Sequence, residues 1–121
     1  MRVWICLIWV IATPLFAENR APFLGTWGTP HQCAGDPIIQ GGTKRAAPFE
    51  ITADWIRNGE TWCALRWFRV QGGDFVSTRA RCGEDSAITY RLDMVLNTDR
   101  LTLIWDEALV NGPLFRCPPT Q

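Results

Sequence analysis

Cys63 and Cys82 stand symmetrically about a glycine pair. Cys63 lies nine positions before Gly72 and Cys82 nine positions after Gly73 in TWCALRWFRVQGGDFVSTRARCG. A two-residue Gly72-Gly73 loop folds such a segment into an antiparallel hairpin. Cys63 then faces Cys82, Leu65 faces Ala80, Trp67 faces Thr78 and Val70 faces Phe75. Directly opposed residues sit about 4.5–5.5 Å apart at Cα, within the span of a disulfide. In this register the cysteines fall at a hydrogen-bonded pair. One face carries Cys63, Leu65, Trp67, Val76, Thr78, Ala80 and Cys82, an apolar surface with a bridge at its end.

The chain has 121 residues and five cysteines. That length suits one domain. The opening MRVWICLIWVIATPLFA has a short positive start at Arg2, an apolar run from Val3 to Ala12, a break at Thr13-Pro14 and an acceptable cleavage site at Leu15-Phe16-Ala17. Residues 1–17 are therefore expected to be a secretory signal peptide. About fifteen apolar positions fall short of the roughly 20 a spanning helix needs, so no stable membrane anchor is expected after cleavage. Residues 18–121 are expected to form a single all-β domain. Four cysteines remain there: Cys33, Cys63, Cys82 and Cys117. An even set in a small exported domain reads as two bridges. Of three possible connectivities, Cys63–Cys82 is the expected one, with Cys33–Cys117 following by elimination.

Other hairpins follow from the pattern. In YRLDMVLNTDRLTLIWDE a Thr98-Asp99 loop sets Leu96 opposite Leu101, Met94 opposite Leu103 and Leu92 opposite Trp105. Every inward pair is apolar, and Arg91 meets Asp106 on the outer face, an opposite-charge pair. In FEITADWIRNGETW, alternation of Phe49, Ile51, Ala53 and Trp55 reads as one strand. A three-residue loop, Arg57-Asn58-Gly59, then sets Ile51 opposite Leu65 and Phe49 opposite Trp67. Shorter strands are expected at FLGTWG, PIIQG and PLFRC, with further turns at Gly41-Gly42 and Asn111-Gly112-Pro113. Regular short strands with such turns suggest a meander closed into a barrel, or a sandwich.

The chemistry-bearing residues are sparse. His31 is the one histidine and no Cys-x-x-Cys pair occurs, so no metal site is expected. The TPHQC segment around His31 reads as a loop. Serines are limited to Ser77 and Ser86, and nothing in the spacing joins them to His31. Adjacent acids occur at Glu84-Asp85 and Asp106-Glu107, and these read as solvated pairs. The QGGTKRAAP stretch lacks the spacing of a phosphate loop. No cofactor and no catalytic residue are expected. Without Arg2 the 12 basic side chains become 11 against 12 acidic ones, which excludes a nucleic-acid binder working by bulk charge.

Two groups remain. Arg66, Arg79 and Arg81 share the outer face of the Gly72-Gly73 hairpin, with Arg66 opposite Arg79 and Glu50 expected beyond Arg66. This face is a candidate site for an anionic ligand or a partner. Trp27, Trp55, Trp67 and Trp105 fall on or near the expected inner face. They form either the core or an aromatic ligand pocket.

Gly25-Thr26-Trp27-Gly28 at the first strand resembles the Gly-x-Trp opening of lipocalin-like barrels. With the four cysteines it also resembles a group of small exported bacterial proteins of unknown function. The resemblance implies a barrel of about eight strands and no catalytic residue. True lipocalins are longer and carry a flanking helix. The expectation is thus an all-β small antiparallel meander barrel stapled by two disulfides. Its expected role is that of a periplasmic or secreted, non-enzymatic binding module for a small apolar or aromatic ligand. The alternative is a protein-interaction or inhibitor domain using the arginine-rich face.

Overall fold

The computed structural model describes residues 20–36, 46–71, 73–83 and 88–119. The expected leader at 1–17, the expected PIIQG strand, the expected Gly41-Gly42 turn and the Glu84-Asp85-Ser86 stretch lie outside the described residues. Within them, eight antiparallel strands follow in chain order: β1 (Gly25–Gly28), β2 (Phe49–Ile51), β3 (Trp55–Asn58), β4 (Thr61–Gln71), β5 (Phe75–Cys82), β6 (Ile88–Asn97), β7 (Arg100–Trp105) and β8 (Leu109–Arg116). Each pairs with the next, and β8 returns to β1, giving a closed barrel.

Both expected disulfides form, Cys63–Cys82 and Cys33–Cys117. They are compatible with an oxidising environment. The cysteine hairpin has the expected register from Cys63↔Cys82 to Trp67↔Thr78. Beyond that the register skips one residue, so Val70 pairs with Val76 rather than Phe75, and Gln71 pairs with Phe75. Phe68 is the extra residue of a β-bulge. The skip also exchanges the two kinds of ladder position. Cys63 and Cys82 are 4.2 Å apart at Cα, the spacing of the closer, non-hydrogen-bonded pair rather than the expected hydrogen-bonded one.

The β6–β7 hairpin has the expected register throughout, from Leu92↔Trp105 to Leu96↔Leu101. Arg91 and Asp106 meet differently from expectation. Asp106 accepts the Arg91 backbone N–H at 2.8 Å, while the Arg91 guanidinium reaches Asp93 and Glu107.

The third expected hairpin is corrected. Phe49 to Trp55 is not one strand. Thr52 folds the chain back: its Oγ1 accepts from Asp54 and Trp55 N–H groups, and its N–H donates to the Trp55 carbonyl at 2.8 Å. Hydroxyl-stabilised turns of this type need no glycine or proline. Ile51 therefore pairs with Ile56, not Leu65, and Phe49 with Asn58, not Trp67. The next loop is Gly59-Glu60, with Asn58 paired to Thr61. Asn111-Gly112-Pro113 is likewise no turn. It lies within β8 where the register shifts between Leu101↔Leu114 and Leu103↔Asn111. Gly112 sits at φ 133°, and a side chain there would meet the Leu101 carbonyl oxygen at 2.8 Å. The β7–β8 connection runs instead through Asp106-Glu107.

One barrel end is plugged from within the chain. A 3-10 turn at Ala21–Phe23 inserts Phe23, which is fully buried. The Trp27 indole donates to the Phe23 carbonyl at 3.0 Å, and Phe23 lies 6.4 Å from the Trp67 ring. Arg116 fixes the plug to β8, donating to the Leu24 and Pro22 carbonyls with its guanidinium 4.2 Å over Trp27. Between the ends, Val76, Ala80, Leu92, Met94, Leu101 and Leu103 fill the interior with no exposed surface. TPHQC is a short helix, α1 (Pro30–Ala34), rather than a loop. A Thr29–Gln32 capping box starts it and left-handed Gly35 ends it. It delivers Cys33 to Cys117.

Candidate functional site

The four tryptophans proposed for a pocket do not converge. Trp27 is fully buried beneath Arg116. Trp67 is part-buried, donating to the Ala53 carbonyl at 2.7 Å, with Arg20 at 5.5 Å over its ring. Trp105 packs edge-on to Tyr90 and donates to Asn111 Oδ1 at 2.8 Å. Trp55 pairs with outward-facing Ala64, so it lies on the outer wall and not the inner one as expected. The β2–β3 turn that the alternating pattern hid is what reverses it.

Trp55 joins a different group. On the outer wall of β3–β6, Trp55, Arg57 and the exposed Trp62 line a small depression of about 170 Å³. The Arg57 guanidinium stands 5.6 Å over the Trp55 ring and bonds Glu50 at 2.6 Å. Glu50 thus belongs with Arg57, not beyond Arg66 as expected.

Arg66 and Arg79 do face each other across β4 and β5. The third member of their row is Arg91, paired with Arg79 across β5 and β6. Arg81 lies one row away, paired with Ala64 and Thr89. Like charges directly opposed are unfavourable in isolation. Arg91 is offset by Asp93 at 3.2 Å and Glu107 at 2.9 Å. Asp93 is nearly buried and also accepts from the Ser77 hydroxyl at 2.8 Å.

The bulge sets Phe68 among these charges. Its ring is 46% exposed, with the Arg66 and Arg79 guanidinium carbons 5.6 and 4.9 Å from its centroid. Phe68, Ser77, Thr78, Arg79 and Arg91 line a depression of about 300 Å³. The outer wall of β3–β6 therefore carries Trp55, Trp62 and Phe68 together with Arg57, Arg66, Arg79, Arg81 and Arg91. Sequence reasoning found Arg66, Arg79 and Arg81. It missed Arg91, Phe68, Arg57 and Trp62, whose placement depends on cross-strand register.

The other candidates stay apart. Exposed His31 bonds Asp36 at 3.0 Å on α1, whereas Ser77 bonds Asp93 on the barrel wall. Asp106 and Glu107 occupy a left-handed turn at φ 49° and 61°. Among the described residues, no three His, Cys, Asp or Glu side chains cluster as metal ligands. No described helix is long and apolar enough to cross a membrane. No protein-family description, curated protein or solved structure matches the chain.

Proposed function

We propose that this chain is an exported, non-enzymatic binding module acting through the outer wall of β3–β6, with a protein bearing acidic side chains as its partner. One observation carries this reading: the in-register row Arg66–Arg79–Arg91 lies beside outward-facing Trp55, Trp62 and Phe68. Arginine and the large aromatics dominate the energetics of protein interfaces. A rigid sheet presents them with little ordering cost. Export is part of the proposal, supported by the leader pattern at 1–17 and the two bridges. The lipocalin-like resemblance supports it through Gly25-Thr26-Trp27 on β1 of a closed barrel. The alternative, an apolar ligand held by Trp27, Trp55, Trp67 and Trp105, lacks a shared cavity among the described residues.

The test uses the secreted, disulfide-bonded chain as bait in the exported fraction of its host. Wild type is expected to retain a protein that 0.5 M salt releases, and Arg79→Glu and Trp62→Ser are expected to lose it. Equal capture by both variants sinks the proposal. So does a small-molecule cargo found by native mass spectrometry, which would restore the interior reading.

A further inference from the structure

The arginine row does not balance its own charge. Arg66, Arg79 and Arg91 bring three positive charges. The carboxylates ion-paired to them, Asp93 and Glu107, are both engaged through Arg91. The described contact of both Arg66 and Arg79 is the Phe68 ring. Among the described residues one positive charge of the row is left over, and it sits on the Arg66–Arg79 side. There the bulge between Trp67 and Arg69 turns an aromatic ring out of the barrel. Bulges commonly re-aim a side chain beside a functional site.

We infer that the depression lined by Phe68, Ser77, Thr78, Arg79 and Arg91 seats one carboxylate, an Asp or Glu side chain of the partner, with Arg79 as its principal donor. This rests on the reading of the outer wall as the binding face and specifies its centre. Three physical points converge on a carboxylate. Among the described residues, a single negative charge completes the Arg66–Arg79–Arg91 row. A guanidinium presents two parallel N–H donors that match a carboxylate's two oxygens. The Phe68 ring removes water from one side of the pair, and a lower local dielectric strengthens the attraction. Arg91, already held by Asp93 and Glu107, is a fixed cation at the rim. Among the described residues neither Arg66 nor Arg79 is met by a carboxylate, and Arg79 is the one of the two that lines the depression.

The experiment is an NMR titration of the isotope-labelled, oxidised chain. The probe is a ten-residue peptide alternating Glu and Gly. Controls are the matching Gln and Gly peptide and inorganic phosphate. The Glu peptide is expected to shift the signals of Phe68, Ser77 and Arg79 with saturation, and the Gln peptide is not. Arg79→Gln is expected to weaken binding about tenfold or more, the loss of one charge-assisted hydrogen bond. Phe68→Leu keeps the charges and is expected to weaken it several-fold. Phosphate that saturates the same residues as tightly as the Glu peptide overturns the carboxylate assignment. Glu-peptide shifts confined to Trp55, Arg57 and Trp62, unchanged in Arg79→Gln, overturn the subsite yet leave the outer wall as the binding face. Shifts away from β3–β6 altogether overturn both.

Discussion

Replacing Arg79 by Glu should stabilise the barrel while abolishing binding, and salt should expose the reason. Arg79 faces Arg66 on one side and Arg91 on the other. At roughly 6–10 Å in water, each like-charge contact costs about 0.4–0.7 kcal/mol. Glu at this position turns both contacts attractive, a gross gain of about 2 kcal/mol by the same arithmetic. Two losses oppose it. The cation–π contact of Arg79 with Phe68, 4.9 Å from the ring, contributes about 0.5–1 kcal/mol. Asp93, one row on, attracts the arginine and would repel the new carboxylate, a swing of about 1 kcal/mol. The net gain is roughly 0.3 kcal/mol at low ionic strength. At about 1 M salt the screening length falls to ~3 Å and the charge terms vanish. Only the lost ring contact then remains, leaving the variant less stable by about 0.5 kcal/mol. The assay is urea unfolding of both proteins at about 10 mM and about 1 M sodium chloride, monitored by tryptophan fluorescence. A difference in stability that keeps one sign across that salt range refutes the charge argument. It would mean that the row is already neutralised, and the carboxylate subsite would fall with it.

Other perturbations test the fold that presents this face. Thr98 and Asp99 turn the β6–β7 hairpin at φ 49° and 60°. Left-handed backbone costs an L-residue about 1–2 kcal/mol, so Thr98→Asn with Asp99→Gly should raise the urea midpoint by about that stability. An unchanged midpoint would argue against the turn geometry. Phe23→Ala, which empties the plug, should cost about 3–5 kcal/mol and red-shift tryptophan emission. A loss below about 1 kcal/mol would show that Phe23 does not close the barrel. Replacing each cysteine pair by alanine should rank the bridges by loop length. Cys33–Cys117 spans a sequence separation of 84 and Cys63–Cys82 one of 19. The chain-entropy relation gives about 4.6 and 3.2 kcal/mol. The reverse order in denaturant unfolding would place the stabilisation elsewhere.

Local rules in the sequence reached some features directly. Inward apolar pairing of Leu92, Met94 and Leu96 with Trp105, Leu103 and Leu101 admits only one register. Any one-residue slip turns the whole set to water. The spacing of Cys63 and Cys82 about Gly72-Gly73 pointed to their pairing, but the two-residue loop it assumed does not form: Gln71 pairs with Phe75 across a three-residue loop, and the Phe68 bulge restores the register from Trp67 to Cys63. Two bridges, an all-β meander and the opposition of Arg66 and Arg79 were therefore legible before any coordinates.

Tertiary structure decided the rest. The Thr52 turn carries no glycine or proline, and its local hydroxyl bonds to the Asp54 and Trp55 N–H groups are a weaker turn signal than either, which the apolar alternation of Phe49, Ile51, Ala53 and Trp55 masked. That turn moved Trp55 from the inner wall to the outer one and gave Glu50 to Arg57. The Phe68 bulge leaves no mark in the alternating pattern, because a skipped residue shows only against the partner strand. Arg91 became the third member of the row through β5–β6 pairing, although it was visible beforehand as a strand residue. Closure of β1 onto β8, and Phe23 filling the end they enclose, depend on contacts between the two ends of the described chain. A period-2 pattern tells which residues share a face of one strand. Which strands lie side by side, and so which charges and rings meet, is set by the sum of long-range pairings that the closed barrel alone satisfies.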